Sequence, residues 1–438
     1  MMSQKQAPAA TATAFSSGGG GGCSKERLPT KIYCILGTAL FALIFALSFF
    51  TSSPPRLRSP DPYLFPNKHN RLIIRRNPNG DDQSPPPPPS IAYLISGSKG
   101  DSDRILRLLL SVYHPRNHYL LHLDLSAPQF ERQSLALAIR SISIFNAAEN
   151  VHVIGKADFV YQKGSTPLSS LLHGASILLR ISQTWDWFIN LSASDYPLVT
   201  QDDLLHIFSY LPKELNFVNH TNYLGWRELK KLKPIIVDPG LYLSEKNEMF
   251  YATQKRDLPQ AYRIFTGSSS SILSRNFVEY SILGTENLPR ILLMYLSNTP
   301  SSDSFYFPTI LCNSRNFNRT IINPGLIHAS FDPKLGSLPL TASDLDELVE
   351  SGAAFGSHFK PDDPVLDSID KELLNRNPGM QPVPGGWCLG ESGNDTTCHV
   401  WGDADMLRPG SGATRLERRI LGLLSNGNYR SSQCVVKE

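Results

Sequence analysis

Acidic and small polar side chains follow two predicted strands, at the points where those strands end. Residues 185–199 begin as an aromatic and aliphatic run typical of a buried strand and change at Ser192 to small residues and Asp195. Asp124 ends the strand predicted over residues 119–123 in the same way. Ligands of α/β proteins bind at the carboxyl ends of strands, so both carboxylates are candidates for contacting a ligand. A turn or helix cap is the alternative role for each.

The loop Ser96-Gly97-Ser98-Lys99-Gly100 lies between the strand predicted over residues 91–95 and the helix that follows it. Such a turn can direct backbone N–H groups at phosphate oxygens, which makes Ser96 and Gly97 candidates for nucleotide contact. The loop matches neither the P-loop nor the dinucleotide-binding pattern, and a plain strand–helix turn is the alternative.

Asp303 lies in a polar segment directly before the aromatic residues Phe305, Tyr306 and Phe307. A sugar transfer that inverts the anomeric centre needs one carboxylate to deprotonate the acceptor hydroxyl, and Asp303 is a candidate for this base. Aromatic rings beside it, such as Tyr306, could stack on sugar faces. Capping of the following helix is the alternative role for Asp303.

A metal-dependent sugar-nucleotide site would usually show Asp-x-Asp at the end of a strand. The three matches to that pattern begin at Asp101, Asp344 and Asp403, and none follows a convincing strand. Asp101 begins a predicted helix, where capping explains it. The sequence therefore predicts no metal and no other cofactor, and a metal-free site would need cationic side chains to neutralise a diphosphate leaving group.

Strand and helix patterns alternate from residue 91 onward. This alternation predicts an α/β fold, with a largely parallel sheet flanked by helices. Thr200 and Asp203 resemble a capping box for the next helix. The predicted strands cover residues 91–95, 119–123, 151–154, the first half of 185–199, and 234–237. Helices are predicted from Asp101 or Ser102 to Val112, and over residues 127–145, 168–179, 277–283 and 288–296.

The N-terminal part of the chain predicts a membrane anchor. Residues 1–31 are too rich in Gly, Ala, Ser and Thr to bury a core, and we expect a disordered cytosolic tail. Residues 32–50 contain no charged side chain and, as a helix, would span roughly 28 Å, about the thickness of the hydrocarbon layer. A signal peptide is the alternative, but its apolar region is normally shorter. Basic residues precede this segment, which indicates a single-pass type II topology.

A proline-rich lumenal stem is predicted over residues 51–90, and the folded lumenal domain over residues 91–438. Four glycosylation sequons agree with a secretory compartment. Those at Asn219, Asn318 and Asn394 are expected to be glycosylated, whereas Asn190 lies inside a predicted buried strand and is a doubtful acceptor. The net charge of +3, with no long basic cluster, does not indicate nucleic-acid binding.

Four cysteines lie on the predicted lumenal side, which suggests two disulfides with three ways to connect them. The ten-residue spacing favours Cys388 with Cys398, and this choice leaves Cys312 with Cys434. A zinc site is disfavoured because the sequence has no Cys-x-x-Cys and no matching histidine spacing.

Six segments together resemble the plant branch of the core-2/I-branching glycosyltransferases, which includes arabinogalactan β-glucuronosyltransferases. They follow one another in the family's order between about residue 91 and the C-terminus. The resemblance implies a GT-A-like fold, a UDP-sugar donor, a glycan or glycoprotein acceptor, an inverting mechanism without a metal, and a Golgi membrane location. The segments cover residues 217–227, 233–242, 265–268, 273–275, 362–370 and 385–388.

The resemblance also implies roles for single residues. Ser96, Gly97, Asp124 and Asp195 would hold the nucleotide, and His358 and Lys360 would face the diphosphate. The acceptor would contact Trp226, Arg227, Ser270 and Tyr306.

Three positions depart from the family pattern. The family's presumed catalytic Glu falls on Ser304, one residue after Asp303, and a usual Lys falls on His358. An aromatic residue of the family is replaced by Ser270. Asp303 could therefore act as the base only if the local chain shifts or rotates by a residue.

The function that fits best is transfer of glucuronic acid from a UDP-sugar to galactan chains of arabinogalactan-type glycoproteins. One alternative is transfer of xylose or N-acetylglucosamine by the same fold. The other is a glycan-binding or scaffolding member with lost or weakened catalysis, which the departure at Ser304 motivates. Oligomeric state is left open.

Overall fold

A computed structural model describes residues 87–221, 223–242, 248–332, 336–376, 381–389, 398, 400–425, 429 and 433–434. The predicted cytosolic tail, the apolar segment 32–50 and nearly all of the predicted stem lie outside these ranges. Within them, no helix combines the length and the apolar composition that crossing a bilayer requires.

Fifteen strands are assigned in the described part of the chain: β1 Ile91–Gly97, β2 His118–Leu123, β3 Val151–Val153, β4 Trp187–Ser192, β5 Asp195–Pro197, β6 Asn216–Phe217, β7 His220–Thr221, β8 Pro234–Val237, β9 Phe250–Lys255, β10 Thr266–Gly267, β11 Ile272–Ser274, β12 Ile321–Ile322, β13 Ile327–Asp332, β14 Gly336–Leu338 and β15 Phe355–Ser357.

The α-helices of the same part are α1 Ser102–Ser111, α2 Gln129–Ser141, α3 Ser143–Ala148, α4 Thr166–Ile181, α5 Gln201–Phe208, α6 Trp226–Leu232, α7 Arg275–Ile282, α8 Asn287–Leu296, α9 Asp303–Asn313, α10 Leu345–Ser351, α11 Pro364–Glu372 and α12 Ser411–Leu424. Short 3₁₀ helices cover Pro239–Tyr242 and Ala342–Asp344.

The main sheet has seven strands in the order β12-β6-β11-β4-β1-β2-β3. Strand β1 pairs in parallel with β2 and β4, and β2 pairs in parallel with β3. Only β11, which runs antiparallel to β4 and β6, departs from this direction among the described strands. The prediction of a largely parallel sheet is confirmed, and the carboxyl ends of β1, β2 and β4 meet at one edge.

Both faces of the main sheet are buried. Successive side chains of a strand point to opposite faces, so neighbouring residues of β1 belong to different apolar clusters. Ile91, Tyr93 and Ile95 belong to one apolar cluster, which α1, α2, α5, α11 and α12 also line. Ala92 and Leu94 belong to the other cluster, on the side of α4, α7, α8 and α9. The sheet flanked by helices makes the fold mixed α/β.

A second sheet has four strands in the order β14-β13-β15-β5. Its strand β5 follows β4 in the sequence. The strand predicted for the first half of residues 185–199 is confirmed as β4, which ends at Ser192. The chain turns after Ser192 and forms β5, whose Asp195 pairs with Ser357 of β15. Strand β5 is an edge strand, where proline's missing N–H is tolerated.

Three other predictions need comment. The single helix predicted over residues 127–145 is divided into α2 and α3, because Ile142 has an extended backbone (ψ 112°). The capping box is confirmed: the Thr200 hydroxyl accepts the N–H of Asp203, whose carboxylate accepts the N–H of Thr200. Asp303 is the first residue of α9, and Ser302 occupies the N-cap position. The cap position, which was the alternative prediction for Asp303, is thus that of Ser302.

Both predicted disulfides are confirmed. Cys388 is bonded to Cys398, and Cys312 is bonded to Cys434. The second bond joins the last turn of α9 to the C-terminal segment.

Candidate active site

A cleft of about 600 Å³ opens where β1, β2 and β4 end. It gathers residues that are far apart in the chain, and many of them were predicted to contact a ligand. The predicted residues that line it are Ser96, Gly97, Asp124, Asp195, Ser270, Asp303 and His358. The lining residues not predicted from the sequence include Arg104, His122, Ser170, Asn190, Ser269 and Ser357.

Gly97 is required at the floor of the cleft. A Cβ atom there would lie 2.8 Å from the Cβ of Asp101 and from the Cδ1 of Ile105, closer than real side chains approach. The glycine thus allows α1 to start directly above the end of β1.

The backbone N–H groups of the loop after Gly97 donate to side chains of the protein itself. Ser98 N–H donates to Asp101, Lys99 N–H donates to Ser126, and Gly100 N–H donates to Glu131. These contacts favour the plain strand–helix turn that was the alternative for this loop. Ser96 and Gly97 line the cleft, and their contact with a nucleotide stays a prediction.

Arg104 is the one arginine or lysine among the described lining residues. Its guanidinium donates to Asp101 Oδ1 at 2.7 Å and to the carbonyl oxygen of Phe359 at 3.0 Å. These two contacts hold its positive charge at the cleft wall. Arginine geometry suits a phosphate oxygen, and this cation was not identified from the sequence.

Asp124 is buried directly after β2. Its Oδ1 atom accepts the N–H of Ser126 at 2.9 Å and also the Ser126 hydroxyl. Burial raises the pKa of Asp124, and the Ser126 hydrogen bonds offset this in part. The carboxylate therefore has a structural role in the turn and also lines the cleft.

Asp195 connects the two sheets. Its Oδ2 atom accepts the N–H of Ser192 at 2.8 Å, and its Oδ1 atom accepts the Ser357 hydroxyl at 2.6 Å. Burial raises the pKa of Asp195, and the hydrogen bonds and the charge of His358 oppose that shift. With both oxygens engaged, Asp195 positions the turn after β4 as much as it faces a ligand.

His358 follows Ser357 at the rim of the cleft and is exposed. Its φ of +93° lies in the left-handed region, which is strained for a residue with a side chain. The backbone is held there because the N–H of Leu340 donates to the His358 carbonyl at 2.9 Å and the N–H of Phe359 donates to the Ser194 carbonyl at 2.8 Å.

Asp303, and not Ser304, faces the cleft. The Ser304 hydroxyl donates to the Ser301 carbonyl at 2.9 Å and stays outside the lining. Ser301 itself has a left-handed backbone (φ +51°), which sets the direction in which α9 begins. The cleft thus receives Asp303 and not the residue at the position of the family's presumed Glu.

Burial raises the pKa of Asp303, and N–H groups at the start of α9, the charge of Lys231 and a Ser269 hydrogen bond oppose the shift. A carboxylate with a raised pKa is a stronger base than an ordinary one, which suits deprotonation of a hydroxyl.

The charge of Lys231 lowers the pKa of Asp303, so helix α6, which carries Lys231, lies near that carboxylate. That helix also carries the predicted acceptor residues Trp226 and Arg227, neither of which lines the cleft. The Trp226 side chain is 62% exposed, and the ammonium of Lys230 lies 4.5 Å from its ring centre. The helix therefore presents an aromatic face and positive charge beside the cleft.

Two predicted site residues lie elsewhere. Tyr306 is 1% exposed in the core under α9, with its hydroxyl directed at the Ser281 carbonyl, so its ring has no face for an acceptor. Lys360 is exposed and is not among the lining residues. We do not retain Tyr306 as an acceptor contact.

The sequons differ in their surroundings. The Asn190 amide donates to the Ser269 carbonyl at 2.9 Å and its Oδ1 atom accepts from Ser271, so this side chain joins β4 to the cleft wall. Asn219 and Asn318 are partly buried, and Asn394 lies outside the described residues. Glycosylation of Asn219, Asn318 and Asn394 stays a prediction.

Potential metal ligands cluster once in the described ranges, at His220, Cys312 and Cys434. The two cysteines form a disulfide, which removes both thiolates as ligands. This group is therefore a disulfide beside a histidine, and none of its three residues lines the cleft.

Comparison with known proteins identifies the family of this chain. A family model described as Core-2/I-Branching enzyme matches residues 91–345. The chain is 52% identical to Beta-glucuronosyltransferase GlcAT14A of Arabidopsis thaliana over 347 residues, covering 78% of this chain and 77% of that protein. It is 44% identical to GlcAT14C of the same plant over 358 residues, covering 82% and 88%.

A more distant relative is Xylosyltransferase 1 of Rattus norvegicus, 26% identical over 274 residues, which cover 62% of this chain and 31% of that protein. The family match spans more than half of the chain, and each of the two plant relatives is matched over more than two thirds of its length. This chain is therefore a glycosyltransferase and belongs to the Core-2/I-branching enzyme family.

Proposed function

We propose that this chain transfers glucuronic acid from UDP-glucuronic acid to galactan chains of arabinogalactan-type glycoproteins, with a GT-A-like domain. The observation that carries the proposal is the Asp303 carboxylate at the start of α9, whose pKa burial raises, in the cleft that also holds the candidate nucleotide contacts. The plant relatives are named β-glucuronosyltransferases, which supports this choice of sugar.

The transfer is proposed to invert the anomeric centre. Asp303 takes the proton of the acceptor hydroxyl as its oxygen bonds to the anomeric carbon. The bond from that carbon to the β-phosphate oxygen breaks, and its electron pair leaves with UDP. Arg104 and His358 at the rim offset the charge that develops on the diphosphate.

A reaction without a metal is part of the proposal. The carboxylates of Asp101, Asp124 and Asp195 each accept hydrogen bonds from neighbouring residues. Arg104 neutralises Asp101 directly. These contacts support a site in which side-chain cations, and not a divalent ion, face the diphosphate.

The test is an assay of the full-length chain in detergent with UDP-glucuronic acid, UDP-xylose and UDP-N-acetylglucosamine on a galactan acceptor. Turnover with UDP-glucuronic acid that a chelator leaves unchanged is expected. Preference for UDP-xylose or UDP-N-acetylglucosamine would refute the sugar assignment, and loss of turnover with chelator would refute the metal-free mechanism. UDP binding without turnover on any acceptor would favour the glycan-binding alternative.

We also propose that residues 32–50 anchor the chain in the Golgi membrane with type II topology, and that residues 51–90 form the stem. The uncharged apolar segment supports the anchor, and the two disulfides support an oxidising compartment for the folded part. Glycosidase-sensitive glycans at Asn219, Asn318 or Asn394, together with protease protection of the C-terminal part in sealed vesicles, are expected. A protease-accessible C-terminal part would refute the topology.

A further inference from the structure

His122 is a buried histidine whose two ring nitrogens have different roles. Its Nε2 atom lies 3.0 Å from the backbone N–H of Asp158 and accepts that hydrogen. The proton of the neutral ring must then be on Nδ1. Burial lowers the pKa of His122, which keeps the ring neutral.

The Nδ1 atom of His122 lies 3.2 Å from the Oγ of Ser170 on α4. Because Nδ1 carries the proton, His122 donates and Ser170 accepts. The hydroxyl hydrogen of Ser170 must therefore point at another acceptor. Among the described residues, Ser170 makes no other hydrogen bond, although other helix serines, such as Ser176 and Ser281, donate to a backbone carbonyl of their own helix.

Both His122 and Ser170 line the cleft. They are largely buried, at 1% and 7% exposure, so a ligand in the cleft is the partner that the hydroxyl hydrogen can reach. Val160, Pro167 and Leu171 also line it, which provides an apolar surface for a flat ring.

The order of strands gives this pair a place along a bound donor. The strands run β11-β4-β1-β2, and Asp303 shares a hydrogen bond with Ser269 beside β11, whereas His122 is on β2. Neighbouring strands are about 4.8 Å apart, so roughly 14 Å separate β11 from β2. With the transferred sugar beside Asp303, the nucleobase at the other end of the donor falls near β2.

We infer that Ser170, oriented by His122, donates a hydrogen bond to the 4-carbonyl of the uracil of the donor. Ser170 is thereby a specificity-determining residue, and His122 is its positioning residue. Cytosine carries an amino group at that position, which is itself a donor, so the Ser170 hydrogen would be left without an acceptor. The inference rests on the proposed function, because it takes a UDP-sugar as the donor.

The experiment measures the Kd of UDP and of CDP for the full-length chain by calorimetry. Ser170→Ala is expected to weaken UDP binding about three- to tenfold, the loss typical of one neutral hydrogen bond, and to leave CDP binding nearly unchanged. Ser170→Thr retains a hydroxyl and is expected to keep the preference for UDP. Ser176→Ala is the matched control, because Ser176 lies on the same helix and donates to the His173 carbonyl at 2.7 Å.

A Ser170→Ala protein with the wild-type ratio of UDP to CDP affinity would overturn the inference while leaving the proposed function intact. That ratio is unchanged both when neither affinity changes and when the two weaken equally, and in either case the base is not read at its 4-position. A wild-type chain that binds neither nucleotide would overturn the proposed donor and this inference together. Melting temperatures of the variants show whether each one is folded.

Discussion

Replacing Asp303 with Asn tests the proposed chemistry with little change in shape. The amide keeps the size of the side chain at the start of α9 but cannot take a proton. A positioned general base contributes about 10²–10⁴-fold to a rate, so kcat for transfer to galactan is expected to fall by that factor, or about 3–5 kcal/mol. The Kd of UDP is expected to stay within about twofold, because the carboxylate acts on the acceptor hydroxyl and not on the nucleotide.

The pH profile gives a second readout of the same group. Burial raises the pKa of Asp303 above its ordinary value of 3.8, and the base works only when it is ionised. Activity is therefore present above the raised pKa and lost as pH falls through it. The acidic limb of kcat/KM is expected at a higher pH than an ordinary aspartate would give, and the limb should be missing from the residual activity of Asp303→Asn.

Ser304→Ala is the neighbouring control, because that hydroxyl donates only to the Ser301 carbonyl among its described contacts. Its kcat is expected to remain near wild type. The reasoning would be refuted if Asp303→Asn retained more than about a third of the wild-type kcat, or if both variants lost activity equally.

Two further predictions concern binding and packing. Arg104→Gln is expected to weaken UDP about 10- to 100-fold, the loss typical of a charged hydrogen bond, while uridine binding is unchanged; calorimetry with both ligands checks this, and equal loss for uridine would contradict it. Gly174→Ala is expected to destabilise the fold by about 1–3 kcal/mol because its Cβ would meet Leu94 at 2.7 Å, whereas Gly422→Ala, with open space around it, should stabilise helix α12 by up to about 1 kcal/mol. Denaturant unfolding measures both glycine variants, and an equal effect of the two would argue against the tight contact.

The strand ends were predictable because a buried strand must change composition where it reaches a polar edge. Asp124 and Asp195 were identified from this change, and both line the cleft. His122 and Asn190 were not assigned to the cleft, although each is a polar residue within an apolar strand. A polar side chain at a buried strand position was thus a usable signal.

Other site residues carried no such signal. Arg104 and Ser170 are on helices, and the direction in which a helix side chain points depends on how that helix packs against the sheet. The choice between Asp303 and Ser304 depends on the left-handed backbone of Ser301, since one residue along a helix turns by about 100°. The acceptor contact predicted for Tyr306 was wrong because its side chain, although close to Asp303 in the sequence, is buried in the core.

The disulfide between Cys312 and Cys434 has a practical consequence for preparing this enzyme. Helix α9 begins at Asp303 and holds Cys312 in its last turn, so the proposed base and the C-terminal segment belong to one mechanically connected unit. Production in a reducing cytosol, or shortening of the chain before Cys434, would release the far end of that helix. An inactive preparation obtained in either way would therefore indicate a displaced helix and not the absence of catalytic residues. Protein secreted through an oxidising pathway, with an intact C-terminus, is the suitable starting material for the assays.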